Sequence, residues 1–110
     1  MAYENLHGIL PALMTAFTDD GAHIDRARIR KLVRRLISSG VHGLYVGGSS
    51  GEMLLCSTEE RMELLETVLD VTESADRPVS VIAHVGSTGT RETLALARHA
   101  AKAGADAVSS

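Results

Sequence analysis

Short apolar runs and helix-periodic segments alternate along the whole chain, and this alternation limits the fold more than any other feature. Gly8-Ile9-Leu10-Pro11-Ala12-Leu13-Met14-Thr15-Ala16-Phe17 is nearly all apolar, the pattern of a strand covered on both faces, with Pro11 removing one ladder donor. Asp19-Asp20-Gly21 marks a turn. Asp25 then stands as a helix N-cap before Ile29, Leu32, Val33, Leu36 and Ile37, whose spacing defines one helical face. Gly40 stops that helix, and Gly43-Leu44-Tyr45-Val46 runs into a loop at residues 47–52. Ser57-Thr58-Glu59-Glu60 fits a capping box that opens a second helix, with Met62, Leu65, Val68 and Leu69 inward. Asp76-Arg77-Pro78 breaks it, and Val79-Ser80-Val81-Ile82-Ala83-His84-Val85 is a β-branched strand. After Gly86-Ser87-Thr88-Gly89, a third helix is marked by Leu94, Ala97, Ala100 and Ala101, ended by Gly104, and Ala105-Asp106-Ala107-Val108 begins a fourth strand.

The order β-α-β-α-β-α-β argues for a parallel sheet with right-handed helical crossovers in a single α/β domain over residues 1–110. The strands are expected near 8–17, 43–47, 79–85 and 105–110. A faint repeat supports this: Gly40-Val41-His42-Gly43-Leu44 recurs in type as Gly104-Ala105-Asp106-Ala107-Val108. Repeated units fit a barrel, and a doubly wound sheet would read similarly. A complete (β/α)8 barrel needs about 250 residues, so four strands of one leave an open edge.

With 45% hydrophobic and 23% charged residues, the chain is ordinary globular material, and its net charge of -3 forms neither a basic stripe for nucleic acid nor a charged tail. A small-molecule partner is expected. Cys56 is the single cysteine, so no intrachain disulfide is possible and a cytoplasmic location is expected. Residues Met1 to Asn5 carry no export pattern, and no apolar run reaches membrane-spanning length. His7, His23, His42 and His99 share no metal-ligand spacing with one another or with Cys56, so neither a metal nor a cofactor is expected.

The loop at residues 47–52 carries the chemistry. Gly47, Gly48 and Gly51 let the backbone turn sharply and bring N–H groups to a ligand, and Ser49 and Ser50 add two hydroxyls. Such a constellation suits an anion. Glu52 repels a polyphosphate, no P-loop lysine follows, and the spacing is not that of a dinucleotide site, so a single carboxylate fits better. Read alone, the segment is also compatible with a plain glycine-serine turn.

Gly43-Leu44-Tyr45-Val46-Gly47-Gly48-Ser49-Ser50-Gly51-Glu52, followed by Ser57-Thr58-Glu59-Glu60-Arg61, closely resembles the signature of the N-acetylneuraminate lyase and dihydrodipicolinate synthase family. The likeness extends to Thr15-Ala16-Phe17, Asp25, Ile82-Ala83-His84-Val85-Gly86 and Ala103-Gly104-Ala105-Asp106-Ala107-Val108-Ser109. The loop and the Ala-His-Val-Gly run look nearer the lyase branch.

The resemblance implies the N-terminal part, about four βα units, of a TIM (β/α)8 barrel. It also implies a class I aldolase in which a lysine forms a Schiff base with pyruvate or the keto end of a sialic acid. In that scheme Ser49 and Ser50 hold the carboxylate, the Ser49 hydroxyl lies near the proton-transfer route, and the full-length enzyme is a homotetramer of carbohydrate metabolism. Ser50 departs from the family's usual threonine, which keeps the hydroxyl and loosens the rotamer. The family's tyrosine and Schiff-base lysine lie further along than this chain reaches. Lys31 and Lys102 fall in helices, where a lysine stays solvated, so the 110 residues alone are expected to be inactive.

Glu52 is expected to tie down loop N–H groups, and Tyr45 to serve barrel packing or an interface. His84, at a strand end, is expected to pack beneath the site. Three functional classes stay in view: a pyruvate-dependent lyase, or alternatively a synthase of the same family; a non-catalytic fragment or binding module; and a phosphate-binding barrel using residues 86–89.

Overall fold

The computed structural model describes residues 6–110. The reading of Met1 to Asn5 as lacking an export pattern lies outside the described residues. Helix α1 (Arg26–Ser38) is followed by β1 (Gly43–Val46), α2 (Thr58–Glu73), β2 (Ser80–His84), α3 (Thr90–Ala103) and β3 (Ala107–Ser109). The three strands form one parallel sheet in the order β1-β2-β3, with Leu44 opposite Val81 and Ile82 opposite Ala107. The α/β class with a parallel sheet is thus as the alternation of elements demands.

The strands are shorter than expected, and the first differs in kind. Over 8–17 the chain is extended beside β1, but its ladder reduces to one parallel bridge, Ala12 opposite Tyr45. Leu13 N donates to Tyr45 O at 2.8 Å and Tyr45 N to Pro11 O at 2.9 Å. The next donor of a parallel ladder, two residues before Leu13, is Pro11, which has no N–H to give. The chain then folds back through an antiparallel bridge between Phe17 and Ile24.

Local chemistry accounts for the helix ends. The Asp25 carboxylate accepts from Arg28 N at 3.1 Å and starts α1. The capping box of α2 is complete: Glu60 N donates to Ser57 Oγ at 3.1 Å and Ser57 N to Glu60 Oε1 at 3.0 Å. Gly104 ends α3 at φ 100° and Gly40 follows α1 at φ 94°, so the repeated glycine marks the same left-handed exit twice.

The core lies between one sheet face and the helix layer. Leu13, Leu44, Val46, Val81, Ala83 and Val85 project from the sheet and meet Ile29, Val33, Leu64, Leu65, Val68, Leu96 and Ala100. The buried Thr67 and Thr72 on α2 return their hydroxyls to Glu63 O and Leu69 O, so neither enters the core unpaired. On α3 the inward stripe is Leu96 and Ala100, with Ala97 and Ala103 beside it, while Leu94 is 48% exposed and Ala101 is exposed. The helix sits on α2 through the 96, 100, 103 row, and Leu94 lies more than a quarter turn away from it.

Candidate functional site

Loop 47–52 leaves β1 at its C-terminal end. Gly47 takes φ 78°, a left-handed conformation that side chains disfavour, and redirects the chain there. A Cβ on Gly48 would lie 2.7 Å from Tyr45 Cε1, and one on Gly51 would lie 3.0 Å from Leu13 O and 3.1 Å from Thr15 Oγ1. All three glycines are buried, so close approach as well as torsion selects them. Gly51 N and Met53 N both donate to Gly48 O, at 3.1 and 3.3 Å, and Glu52 N donates to Ser49 O at 3.0 Å.

This turn leaves Ser49 and Ser50 exposed at its crest. Among the described residues, neither their amides nor their hydroxyls make a hydrogen bond within the chain. Two N–H groups and two O–H groups in adjacent residues are therefore free to grip an incoming oxyanion.

Glu52 does not act as expected. Its side chain is exposed and, among the described residues, forms no hydrogen bond, so it does not tie down loop amides. The backbone does the work instead. Glu52 adopts φ 57°, the single positive value outside glycine among the described residues, and its carbonyl accepts from Leu55 N at 2.9 Å, opening a 3-10 turn over Met53–Leu55.

Beneath the loop lies a polar group that residue types alone did not reveal. Tyr45, His84 and Ser109 share the sheet face turned away from the helices, because His84 pairs with Ser109 and lies two positions beyond Ile82, the partner of Tyr45. The Tyr45 hydroxyl donates to Ser109 Oγ at 3.0 Å and lies 3.0 Å from His84 Nδ1. Burial, then the nearby Arg61, pulls the His84 imidazole below its ordinary value, so the ring is neutral at neutral pH. His84 does pack below the loop, as expected, while Tyr45 does more than pack.

Arg61 is 7% exposed and donates to Gly86 O at 2.8 Å and His84 O at 2.9 Å, holding the end of β2. Burial lowers its proton affinity. The sequence signal was a charged residue on an apolar stripe, in line with Leu65, Val68 and Thr72. Thr15 Oγ1 is buried beside Gly51 and, among the described residues, has no hydrogen-bond partner.

The rival loop is less suited to an anion. Ser87 Oγ donates to Glu92 Oε2 at 2.9 Å, which places a carboxylate at the start of α3 where a phosphate would bind. Cys56 is half-buried, and burial with the Glu60 charge raises its thiol, opposing nucleophilic use. Lys31 and Lys102 are exposed on α1 and α3. Among the described residues, no group of three or more His, Cys, Asp and Glu is placed to hold a metal ion, and no helix is long and apolar enough to cross a membrane.

Comparison with known proteins identifies the family of the chain. The model of the dihydrodipicolinate synthetase family matches residues 5–110. The N-acetylneuraminate lyase of Rhizobium meliloti (strain 1021) is 46% identical over 104 residues, covering 94% of this chain and 33% of the relative. That of Citrobacter koseri is 45% identical over 106 residues, covering 96% and 34%. Among solved structures, the wild-type sialic acid aldolase of Ruminococcus gnavus superposes with TM-score 0.87 at 36% identity, covering 94% of this chain and 33% of that one. The dihydrodipicolinate synthase (DHDPS) of Cyanidioschyzon merolae, with lysine bound, gives TM-score 0.87 at 28% identity, covering 94% and 34%. The chain spans about one third of the length of the relatives it matches. The family match over residues 5–110, together with 46% identity to a curated lyase over 104 residues, shows that the chain belongs to the dihydrodipicolinate synthetase family.

Proposed function

We propose that this chain is the front third of a class I pyruvate aldolase built on a (β/α)8 barrel, with loop 47–52 as the site for the keto-acid carboxylate. The observation that carries the reading is the crest of that loop, where the amides and hydroxyls of Ser49 and Ser50 are exposed and, among the described residues, unpaired at the end of a parallel strand. In parallel α/β folds that end of the sheet faces the ligand. Donors fixed on the carboxylate orient the neighbouring carbonyl carbon toward an amine, and positioning of this kind lowers a bimolecular barrier substantially. Ser49 further serves the proton route near the Schiff base.

Cleavage of N-acetylneuraminate to N-acetylmannosamine and pyruvate is the activity proposed for the complete protein, supported by the identity to lyases of that name. A cytosolic homotetramer belongs to the same proposal. Turnover of N-acetylneuraminate, compared with condensation of pyruvate and aspartate semialdehyde by the full-length protein, separates the lyase from the synthase.

For the 110 residues, titration of the labelled chain with sodium pyruvate is expected to shift the Ser49 and Ser50 amides. A Ser49→Ala/Ser50→Ala chain is expected to lose most of that response, and inorganic phosphate is not expected to compete. Unchanged shifts in the double variant would refute the carboxylate site. Borohydride treatment with pyruvate is expected to trap no adduct, since Lys31 and Lys102 are exposed on helix surfaces, away from the desolvated setting a Schiff-base lysine needs; an adduct at either would overturn the claim that this segment lacks the chemistry.

A further inference from the structure

The loop that carries Ser49 and Ser50 closes on one residue. Gly48 O accepts both Gly51 N and Met53 N, so wherever Gly48 is held, the two free amides beside it are held too. Gly48 in turn rests on the ring of Tyr45, close enough that a Cβ would stand 2.7 Å from Cε1. That ring is pinned at its far end by Ser109 Oγ and His84 Nδ1, each at 3.0 Å. The phenol has one proton and two partners, so which atom donates in the bond to His84 follows from which ring nitrogen carries the imidazole proton. The His84 main chain is fixed independently by the Arg61 guanidinium.

We propose that Tyr45 is a positioning residue for the carboxylate loop: its ring is the floor on which Gly48 sits, and its hydroxyl locks that floor to the ends of β2 and β3. The proposal rests on the reading of loop 47–52 as the carboxylate site. It assigns to the Tyr45 hydroxyl a role in affinity without any contact to the ligand. Loss of one such bond releases the ring without removing it, and the loop then samples orientations in which the Ser49 and Ser50 amides diverge.

The test compares Tyr45→Phe, Ser109→Ala and the double variant with the unaltered chain, using sodium pyruvate titration and amide hydrogen exchange at Gly51 and Met53. Tyr45→Phe is expected to weaken pyruvate binding about three- to tenfold, the range of one hydrogen bond, and to speed exchange at both amides. The melting temperature should be little changed, because the ring still fills its place. The double variant is expected to be no weaker than Tyr45→Phe, since both act through one contact. Unaltered exchange and affinity in Tyr45→Phe, or losses that merely track global stability, would overturn the proposal. Exchange does not depend on pyruvate, so faster exchange with no pyruvate response in any chain sinks the carboxylate reading while upholding the floor.

Discussion

At Gly51 the loop presses against the extended segment before α1, with Leu13 O and Thr15 Oγ1 3.0 and 3.1 Å from any added Cβ. Both are neighbours that a methyl group cannot displace freely, one a main-chain oxygen and the other a buried hydroxyl. Gly51→Ala is therefore expected to destabilise the chain by about 1 to 3 kcal/mol, the usual range for overpacking, read from urea unfolding midpoints. His84 gives a pH dependence whose sign follows from burial. Its folded proton affinity lies below the ordinary value of 6.5, so the unfolded chain binds more protons between the two values. The stability tied to His84 is thus complete above about pH 6.5 and is lost as pH falls from there through the lower folded value. Melting curves at pH 7.5 and 5.5 are expected to differ less in His84→Gln than in the unaltered chain.

Helix α2 joins the site to the core. It begins with the capping box, presents Leu64, Leu65 and Val68 to the sheet, and carries Arg61 under the end of β2. Ser57→Ala removes the acceptor for Glu60 N and is expected to cost about 1 kcal/mol in urea unfolding. Because Arg61 lies in the first turn of the same helix, this variant is also expected to speed hydrogen exchange near His84 and Gly86, whereas an equivalent change at Asp25 of α1 is not. Arg77 plays a comparable part at the opposite end of the sheet, donating to Val41 O at 2.7 Å and Ile37 O at 2.5 Å.

In the molecule as a whole, the helices cover one face of the sheet. The other face presents Ala12, Met14, Tyr45, Ile82 and His84, and Met14 is 69% exposed. At the two lateral edges Ile9 is 67% and Val108 50% exposed, beside main-chain groups that continue the parallel ladders. Open edges flanked by apolar side chains invite pairing with another chain. The 110 residues by themselves are expected to self-associate as concentration rises in sedimentation experiments, and Val108→Lys is expected to shift the distribution toward monomer. A monomer at all concentrations for the unaltered chain would show that the edges are inert.

The periodicities of α1 and α2, the Asp25 cap, the capping box and the paired Gly40 and Gly104 stops were legible because each depends on residues within a few positions of one another. The parallel orientation of the strands was legible too, as helices interposed between short apolar runs leave parallel pairing as the compact solution. The family resemblance was legible in the loop 47–52 because its glycines are demanded by torsion and close approach. Tertiary contact decided the rest. Pro11 reduced the first strand to a bridge only because Tyr45 lay opposite. The inward row of α3 was set by the surface of α2, since a run of small alanines offers no preferred face. With its backbone turned left-handed, the Glu52 side chain is exposed and, among the described residues, makes no hydrogen bond. Tyr45, His84 and Ser109, far apart in sequence, met because parallel register brought three strand ends to one face, a coincidence that no local pattern encodes.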